Sequence, residues 1–525
     1  MKVKPAQKNN DFTSRVSLLE LKVSSLTNDN ENLKSTNKVL ASELEIKDQQ
    51  IAMLKQAIYG KKSEKKIPAA CEEQLSFLFD EAEVSSNEDK EDNGDLTADE
   101  EYEDVSFRRK KAGRKSLPKN LPRERIIHQL PESELQCNCG SVLCKIGEDV
   151  SEELHVIPAK LSVKEHVRYK YACKSCEENI KRAPAPFRPL AKALASSSLV
   201  SDVLVKKYED HLPLYRQSKI WGRLGIHISR QTLSNWVILC GDKFKPLVEL
   251  MKEDLLASDY VCSDETTLNV LQSSKDTNYM WLHMSGDRDK RALLYTYDES
   301  RSQSGIKEFL DKFKGYHQCD GYSSYAILHN KKGVIGVGCM SHARRKFMDI
   351  LKIVKNKSSS LSYTIVGLMK KLYSLEKEIK DLDPDEKKFH REETAKPILE
   401  KIYKLLIEYK DKAPPGGMLA KAINYSLNQW DKLTAYLKDG RIRIDNNDAE
   451  RAIKPFVIGR KNWLFSNSEN GAKASCIIYS LIETCKANNI NSFDYLKYLL
   501  ENIRDGMSKQ ELRPFLPYNI DPAVL

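Results

Sequence analysis

Three carboxylates in this chain sit in distinctive settings. Asp264 lies in Ser263-Asp264-Glu265-Thr266, Asp320 in Cys319-Asp320-Gly321-Tyr322, and Glu450 in Asn446-Asn447-Asp448-Ala449-Glu450-Arg451. Fifty-five residues separate the first two and 129 the last two. Enzymes of phosphoryl transfer need acidic oxygens that converge on two hard divalent cations from different parts of a fold. By strand alternation Asp264 shares a face with Cys262, Thr266, Leu268 and Val270. A carboxylate on that mostly apolar face is expensive unless something pairs with it, and a metal ion would. Glu450 is expected in a short helix capped by Asn446 or Asn447 and ended near Pro455. Arg451 is adjacent, Lys454 follows one turn on, and Gly459-Arg460-Lys461-Asn462-Trp463-Leu464-Phe465 adds cations and aromatics. A metal-binding acid flanked by phosphate-binding cations suits scissile DNA. A surface helix with Asp448–Arg451 and Glu450–Lys454 pairs would give the same pattern.

The elements that must hold these acids can be read around them. Tyr260 to Leu271, Tyr279 to Ser285, Ala292 to Tyr297, Tyr316 to Asp320 and Val334 to Met340 read as strands. Ile306 to Phe313 and Ala343 to Val354 read as helices, so a mixed sheet flanked by helices is expected. Residues 355–440 read as an all-helical insertion between the second and third acids. There Leu361, Ile365, Leu368, Leu372, Leu375 and Ile379 follow 4-3-4-3-4 spacing, and Pro414-Pro415-Gly416-Gly417 makes one break. The tail, 476–525, reads as helical, with Ile477, Leu481, Ile482, Phe493, Leu496 and Leu499 as core candidates.

Upstream, Leu19, Leu26, Leu33, Leu40 and Leu54 recur at one heptad position, with Lys47 as the miss. Val16, Val23, Asn30, Asn37, Leu44 and Ile51 recur three residues earlier. These are d and a positions of a coiled coil over residues 1–66, and the asparagines at a favour a parallel dimer. One amphipathic helix packed on its own body is the alternative. An acidic linker follows at 67–106: residues 80–104 hold thirteen Asp or Glu and only Lys90 of opposite sign. The sign reverses at 107–126, where Lys110-Lys111-Ala112-Gly113-Arg114-Lys115 resembles a minor-groove hook, with Arg114 and Lys115 as its DNA contacts. A solvated charge run would look alike.

Cys137-Asn138-Cys139 and Cys173-Lys174-Ser175-Cys176 are two cysteine pairs separated by 33 residues, enough for one structural Zn2+ in a module over 127–188. The first pair is tighter than usual, which leaves Cys144 as a rival ligand; unligated buried cysteines are the other reading. Residues 189–243 read as helices, notably Tyr215 to Leu224 and Ser229 to Cys240. Ser229 is a plausible N-cap, and Arg230, Gln231, Thr232 and Asn235 open the second helix with groups suited to base edges, as in a helix-turn-helix. A plain helical hairpin is the alternative.

Composition bounds the class. The 525 residues carry 85 Lys or Arg and 75 Asp or Glu, so the net charge of +10 reflects segregated blocks. No run approaches the roughly 18 apolar residues of a membrane span, and no signal peptide is visible behind Met1-Lys2-Val3-Lys4-Pro5. Twelve cysteines are too sparse for a disulfide scaffold. A cytoplasmic, nucleoid-associated protein without a membrane partner is expected.

The chain resembles the transposases of the insertion sequence 66 family, bacterial DDE-class enzymes. The matching stretches run from Leu54 to Lys65, through the cysteine region to Ile146-Gly147-Glu148-Asp149, then Leu212-Pro213-Leu214-Tyr215-Arg216. They continue with Asp264-Glu265-Thr266, Asp320-Gly321-Tyr322, His342-Ala343-Arg344-Arg345-Lys346-Phe347, Asn446 to Arg451, Gly459 to Phe465, and Tyr479-Ser480-Leu481-Ile482-Glu483-Thr484. The resemblance implies a multidomain α/β protein: coiled coil, zinc module, helix-turn-helix, then a ribonuclease-H-like catalytic core at 244–475. It implies Asp264, Asp320 and Glu450 as the triad for two Mg2+ (or Mn2+), with Asp264 bridging both. It also implies double-stranded DNA as partner, cut at the element ends and joined through a 3′-hydroxyl to target DNA. His342, Arg344, Arg345, Lys454, Arg460 and Lys461 are the candidates for phosphate contact. A homodimer or larger homo-oligomer is expected, with accessory proteins of the element as further partners. The family's first cysteine pair is usually C-x-x-C, so Cys137-x-Cys139 is a departure. Two rivals remain at this point: a non-catalytic DNA-binding regulator, and a nuclease of the same core that cuts without joining.

Overall fold

The computed structural model describes residues 22–37, 40, 47, 51, 162–171, 181–190, 193, 195–286, 290–354 and 360–525. The acidic linker, the basic segment with Arg114 and Lys115, and Cys137, Cys139, Cys144, Cys173 and Cys176 lie outside the described residues. The chain divides into two compact units, Glu73–Pro186 and Met1–Glu72 with Phe187–Leu525.

In the first of these units, β1 (Lys170–Tyr171) and β2 (Lys181–Arg182) form an antiparallel pair. They flank, in sequence, the segment that holds Cys173 and Cys176. The Arg168 guanidinium donates to the Ala183 carbonyl at 2.6 and 2.8 Å beside them.

In the other unit, residues 22–37 are helical. The heptad residues Val23, Leu26 and Leu33 lie exposed there. Further along come α1 (Ser197–Tyr208), α2 (Leu214–Arg223) and α3 (Arg230–Ala257). The helix expected to end at Cys240 therefore runs on for 17 residues, with Pro246 inside it. Phe244, Leu247, Leu250 and Met251 are buried on either side of that proline. Each such burial stabilises by about 1.5–3 kcal/mol, so together they outweigh the roughly 3 kcal/mol a helical proline costs.

The sheet follows: β3 (Tyr260–Leu268), β4 (Asn278–Ser285), β5 (Leu293–Asp298), β6 (Gly315–Gln318) and β7 (Val334–Val337). Its spatial order is β5-β4-β3-β6-β7. The first three strands are antiparallel neighbours, whereas β6 runs parallel to β3 and β7 to β6. All five expected strands are present, but three end early, β3 at Leu268 rather than Leu271, and β6 and β7 as follows. Asp320 falls just beyond β6, and Met340 opens a helix. Central β3 is buried at nearly every position, as a strand covered on both faces must be. Edge strand β5 is covered by α12, defined below. The Leu293 and Tyr295 backbone N–H groups donate to the hydroxyls of Thr484 and Ser480 at 3.0 and 2.8 Å. That contact gives Tyr479-Ser480-Leu481-Ile482-Glu483-Thr484 a structural role: it closes a row of otherwise open ladder donors.

Between and after the strands lie α4 (Gln303–Leu310), α5 (Ala326–His329) and α6 (Met340–Ile353). The helical insertion contributes α7 (Leu361–Glu378), α8 (Pro384–His390), α9 (Lys396–Lys410) and α10 (Met418–Asn428). Ile365, Leu368, Leu372, Leu375 and Ile379 are all buried, as their spacing requires. The chain returns through α11 (Asn447–Trp463), α12 (Glu469–Ala487) and α13 (Ser492–Asn502). In the tail Leu481, Ile482, Leu496 and Leu499 are buried, while Ile477 and Phe493 are only half-buried. Helices α3 and α12 meet closely at Gly241: a Cβ there would lie 2.7 Å from the Cβ of Ala474.

Arg391, only 2% exposed, fastens the insertion to the return segment. It lies in the π-helical turn Arg391–Ala395 between α8 and α9. Its guanidinium donates to both Glu376 carboxylate oxygens at 2.8 and 2.7 Å, and to the carbonyls of Tyr436, Asp439 and Ile442 at 2.9–3.0 Å. Truncating one partner of a buried pair strands the other charge. Arg391→Ala is expected to lower stability by about 3–5 kcal/mol, measured by urea unfolding; a change under about 1 kcal/mol would contradict this role.

Candidate active site

The three sequence-predicted acids converge. Asp264 sits mid-strand in β3, opposite Leu282 of β4. Asp320 follows the end of the parallel neighbour β6, and its Oδ1 accepts the Tyr322 backbone N–H at 2.9 Å. Glu450 is in the first turn of α11.

What brings that turn to the strand is Asn446. It occupies the N-cap position of α11, yet its side chain makes no cap bond. Its Nδ2 donates instead to the Ser263 carbonyl at 2.9 Å, next to Asp264. Two further bonds hold the approach to Asn446. The Gln318 side chain donates to the Arg443 carbonyl at 2.9 Å, and the Met340 N–H to the Ile444 carbonyl at 3.1 Å. Asn447 turns back on Asp445, its Nδ2 donating to Oδ2 at 2.9 Å. The short helix expected to end near Pro455 continues to Trp463, because Ile453, Phe456 and Val457 are buried on both sides of the proline.

The electrostatics are those of crowded carboxylates. Asp264 is held well above the usual carboxylate range, first by burial, then by the charges of Glu265, Asp320 and Glu450. Its Oδ2 is buried without a hydrogen-bond partner. Asp320 is raised by burial, against the Tyr322 N–H and the Arg301 charge. Glu450 is raised by burial, with Asp445 and Asp320 adding and with Arg345 and Lys454 opposing. Like charges kept this close in a desolvated place are a poor structural solution and a good cation site.

Basic side chains border one side. His342 Nδ1 lies 3.5 Å from Glu450 Oε1, and Arg345 lies 3.9 Å from Oε2. Arg344, on the same helix α6, is turned to another neighbour, its guanidinium 5.4 Å from the centre of the Tyr373 ring. The Arg460 guanidinium is spent on β3, donating to the Thr267 carbonyl, to Thr267 Oγ1 at 2.7 Å and to Thr266 Oγ1 at 3.3 Å. Lys461 is exposed on the last turn of α11. Asp448, in the same first turn as Glu450, is committed elsewhere: it pairs with Arg291 at 3.1 Å and with Arg443 and Arg451.

The proposed base-reading residues form a separate surface. Arg230, Gln231, Thr232 and Asn235 are exposed on one side of α3, while Leu233, Trp236 and Val237 bury the other. Ser229 caps this helix as expected, accepting the Thr232 N–H at 3.1 Å.

Sequence reasoning missed Glu265. It neighbours Asp264 and is raised to about 7 by burial and then by the Asp320 charge. Arg301 clamps it, Nε to Oε1 at 2.9 Å, and Tyr325 donates to Oε2 at 2.6 Å. The Arg301 guanidinium also lies 3.6 Å from the centre of the Tyr322 ring, beside the Asp320 loop. The adjacency of two acids in Asp264-Glu265 was a visible signal; nothing marked Arg301. Cys339 was missed too, its Sγ 4.0 Å from Glu450 Oε1.

Comparison with known proteins decides the family. A family model described as "Transposase IS66 family" matches residues 192–474, which takes in the sheet, the insertion and all three acids. The chain belongs to the IS66 transposase family. Other models of this family match along the chain: a zinc-finger binding domain of transposase IS66 at 134–177, and an IS66 C-terminal element at 480–518. A further model, "Transposase C of IS166 homeodomain", matches 48–126. Among relatives, the "Uncharacterized protein y4jD" of Sinorhizobium fredii (strain NBRC 101917 / NGR234) is 33% identical over 418 residues, 77% of this chain and 81% of that one. The "Uncharacterized protein y4qI" of the same strain is 31% identical over 508 residues, 94% and 91% of the two chains. The IS66 zinc-finger match supports a structural Zn2+, and the transposase domain implies DNA binding. Among the described residues no helix is long and apolar enough to cross a membrane.

Proposed function

We propose that this IS66-family chain is a DDE-type DNA transposase that nicks DNA at the ends of its element and joins each 3′-hydroxyl to target DNA. The observation that carries the reading is the convergence of Asp264, Asp320 and Glu450, with a buried Asp264 oxygen left without a partner. The strand order, three antiparallel then two parallel, supports a ribonuclease-H-like core as their frame.

The donor set fits hard divalent ions: carboxylate oxygens, desolvated and mutually repelling. Asp264, Asp320 and Glu450 would hold Mg2+ or Mn2+. Such ions would supply Lewis acidity toward both the attacking and the departing oxygen of an in-line displacement. The chain's own groups do the rest. Arg345, His342 and Lys454 flank Glu450 and bind the phosphate backbone beside it. Arg230, Gln231, Thr232 and Asn235 of α3 meet base edges and set the register. Water attacks in the first step and a DNA 3′-hydroxyl in the second, so no nucleophilic side chain is required.

Outside the core, we assign the domains as read above. Cys137, Cys139, Cys173 and Cys176 form the zinc module, with Cys144 as the alternative to one of the first pair. Arg114 and Lys115 contact the minor groove. The heptads pair two chains, an assignment supported by the exposure of Val23, Leu26 and Leu33 along the described helix. Cys173→Ser is expected to release one zinc per chain, measured by metal analysis of the full protein. Unchanged zinc would exclude Cys173 as a ligand.

The function is tested with labelled element-end DNA, a target plasmid and Mg2+. The expected product is end DNA joined to the plasmid. Nicking without joining would mark a nuclease, and binding without either a regulator.

A further inference from the structure

Behind β3, on ground the proposed DNA chemistry does not use, three side chains able to ligate metal meet, His317 and Cys319 buried and His329 half-buried. His317 is on β6, Cys319 follows it one residue before Asp320, and His329 ends α5. One ligand atom from each lies within 4.8 Å of the other two. The His317 Nδ1 to His329 Nε2 separation is 3.0 Å, and Cys319 Sγ to His329 Nε2 is 3.9 Å. Bonds of about 2.0 Å to nitrogen and about 2.3 Å to sulfur in a tetrahedron set ligand atoms roughly 3.3 Å (N to N) and 3.5 Å (N to S) apart. The two separations made by His329 are within about half an ångström of that spacing.

We propose that His317, Cys319 and His329 form a transition-metal site of the zinc class, separate from the carboxylate centre. The donor set is the first reason. Two imidazoles and a thiolate select a borderline-soft ion, whereas the carboxylates select a hard one. The second reason is the support behind His317. Its Nε2 lies 2.9 Å from Ser263 Oγ, which lies 2.8 Å from His283 Nδ1. Ligating histidines are oriented in this way, by a hydrogen bond on the ring nitrogen that faces away from the ion. The third is the placement of His329. Its ring lies against β7 at Gly336, where a Cβ would come 2.8 Å from the ring, so the strand leaves space for the imidazole and for nothing larger than glycine. Burial also keeps both rings neutral, the form that binds metal: His329 is held down at about 4, and His317 well below its ordinary range.

On binding, Cys319 loses its thiol proton to solvent, and the sulfur and the two imidazole nitrogens each donate an electron pair to the ion. No oxidation is involved. Burial, first, and the Asp320 charge hold the Cys319 thiol well above its ordinary range, which a bound ion must overcome; the Lys432 charge opposes them. The site's role is structural: it clamps residues 317–329, the segment that carries Asp320.

The test is zinc content of the full chain after dialysis against metal-free buffer. Two zinc per chain are expected in the wild type, one from the zinc-finger region and one here. Two are also expected in Glu450→Gln, which separates this site from the carboxylate centre, and one in His329→Ala. Zinc X-ray absorption of the wild type should show mixed nitrogen and sulfur ligation. That measurement decides the matter if His329→Ala fails to fold. One zinc in the wild type, unchanged zinc in folded His329→Ala, or sulfur-only ligation would overturn the site.

Discussion

Replacing Asp264, Asp320 or Glu450 with Ala is expected to lower end cleavage and strand joining at least about 1,000-fold, a loss of roughly 4 kcal/mol of transition-state stabilisation. Binding to end DNA should hardly change, because cations on other surfaces carry the affinity. The acids act only where the phosphodiester reacts, so their removal separates chemistry from recognition. Asp448→Ala is the control. It lies two residues from Glu450 in the same helical turn, yet its carboxylate is tied to Arg291, Arg443 and Arg451. It should keep its chemistry per folded molecule. A dead Asp448→Ala beside an active Glu450→Ala would show that the wrong acid of that turn has been assigned.

The second large effect concerns stability without metal. Burial and three neighbouring carboxylates hold the Asp264 carboxyl well above the usual range. The folded chain therefore keeps a proton that the unfolded chain releases. The stability this contributes is fully present below the unfolded carboxylate range and is lost as pH rises through the raised folded value. At neutral pH, metal-free Asp264→Asn is expected to melt at least about 2 °C above metal-free wild type. Added Mg2+ should raise the wild-type midpoint, more at pH 8 than at pH 6, since metal and protons compete for the same oxygens. Asp264→Asn should respond little. Differential scanning fluorimetry at both pH values reads this. A variant that melts lower without metal, or that gains as much from Mg2+ as wild type, would contradict the account.

Much of this site was legible in the sequence because its acids carry local signals. Asp264 stood out on an apolar strand face, and the buried stripe Ile365, Leu368, Leu372, Leu375, Ile379 followed from its spacing alone. The errors were local rules overruled by tertiary packing. The helix read as stopping at Cys240 runs on through Pro246, and the one read as ending near Pro455 runs on to Trp463, because apolar burial on both sides of each proline carries the helix through. Asn446 read as a cap, but a strand carbonyl beside Asp264 recruits its amide. Glu265 was hidden by the stronger signal next to it, and Arg301 by a polar loop without periodicity. His317, Cys319 and His329 could not have been joined from sequence. Their meeting depends on β6 lying beside β7, a pairing that alternation cannot reveal.

Manganese anomalous diffraction tests the central claim most directly. Crystals of the full chain soaked in Mn2+ should show anomalous density bounded by the carboxylates of Asp264, Asp320 and Glu450, and none there in Asp264→Ala. Density at Asp445 or Asp448 instead, or no density among the three acids, would contradict the assignment of this site as the catalytic centre.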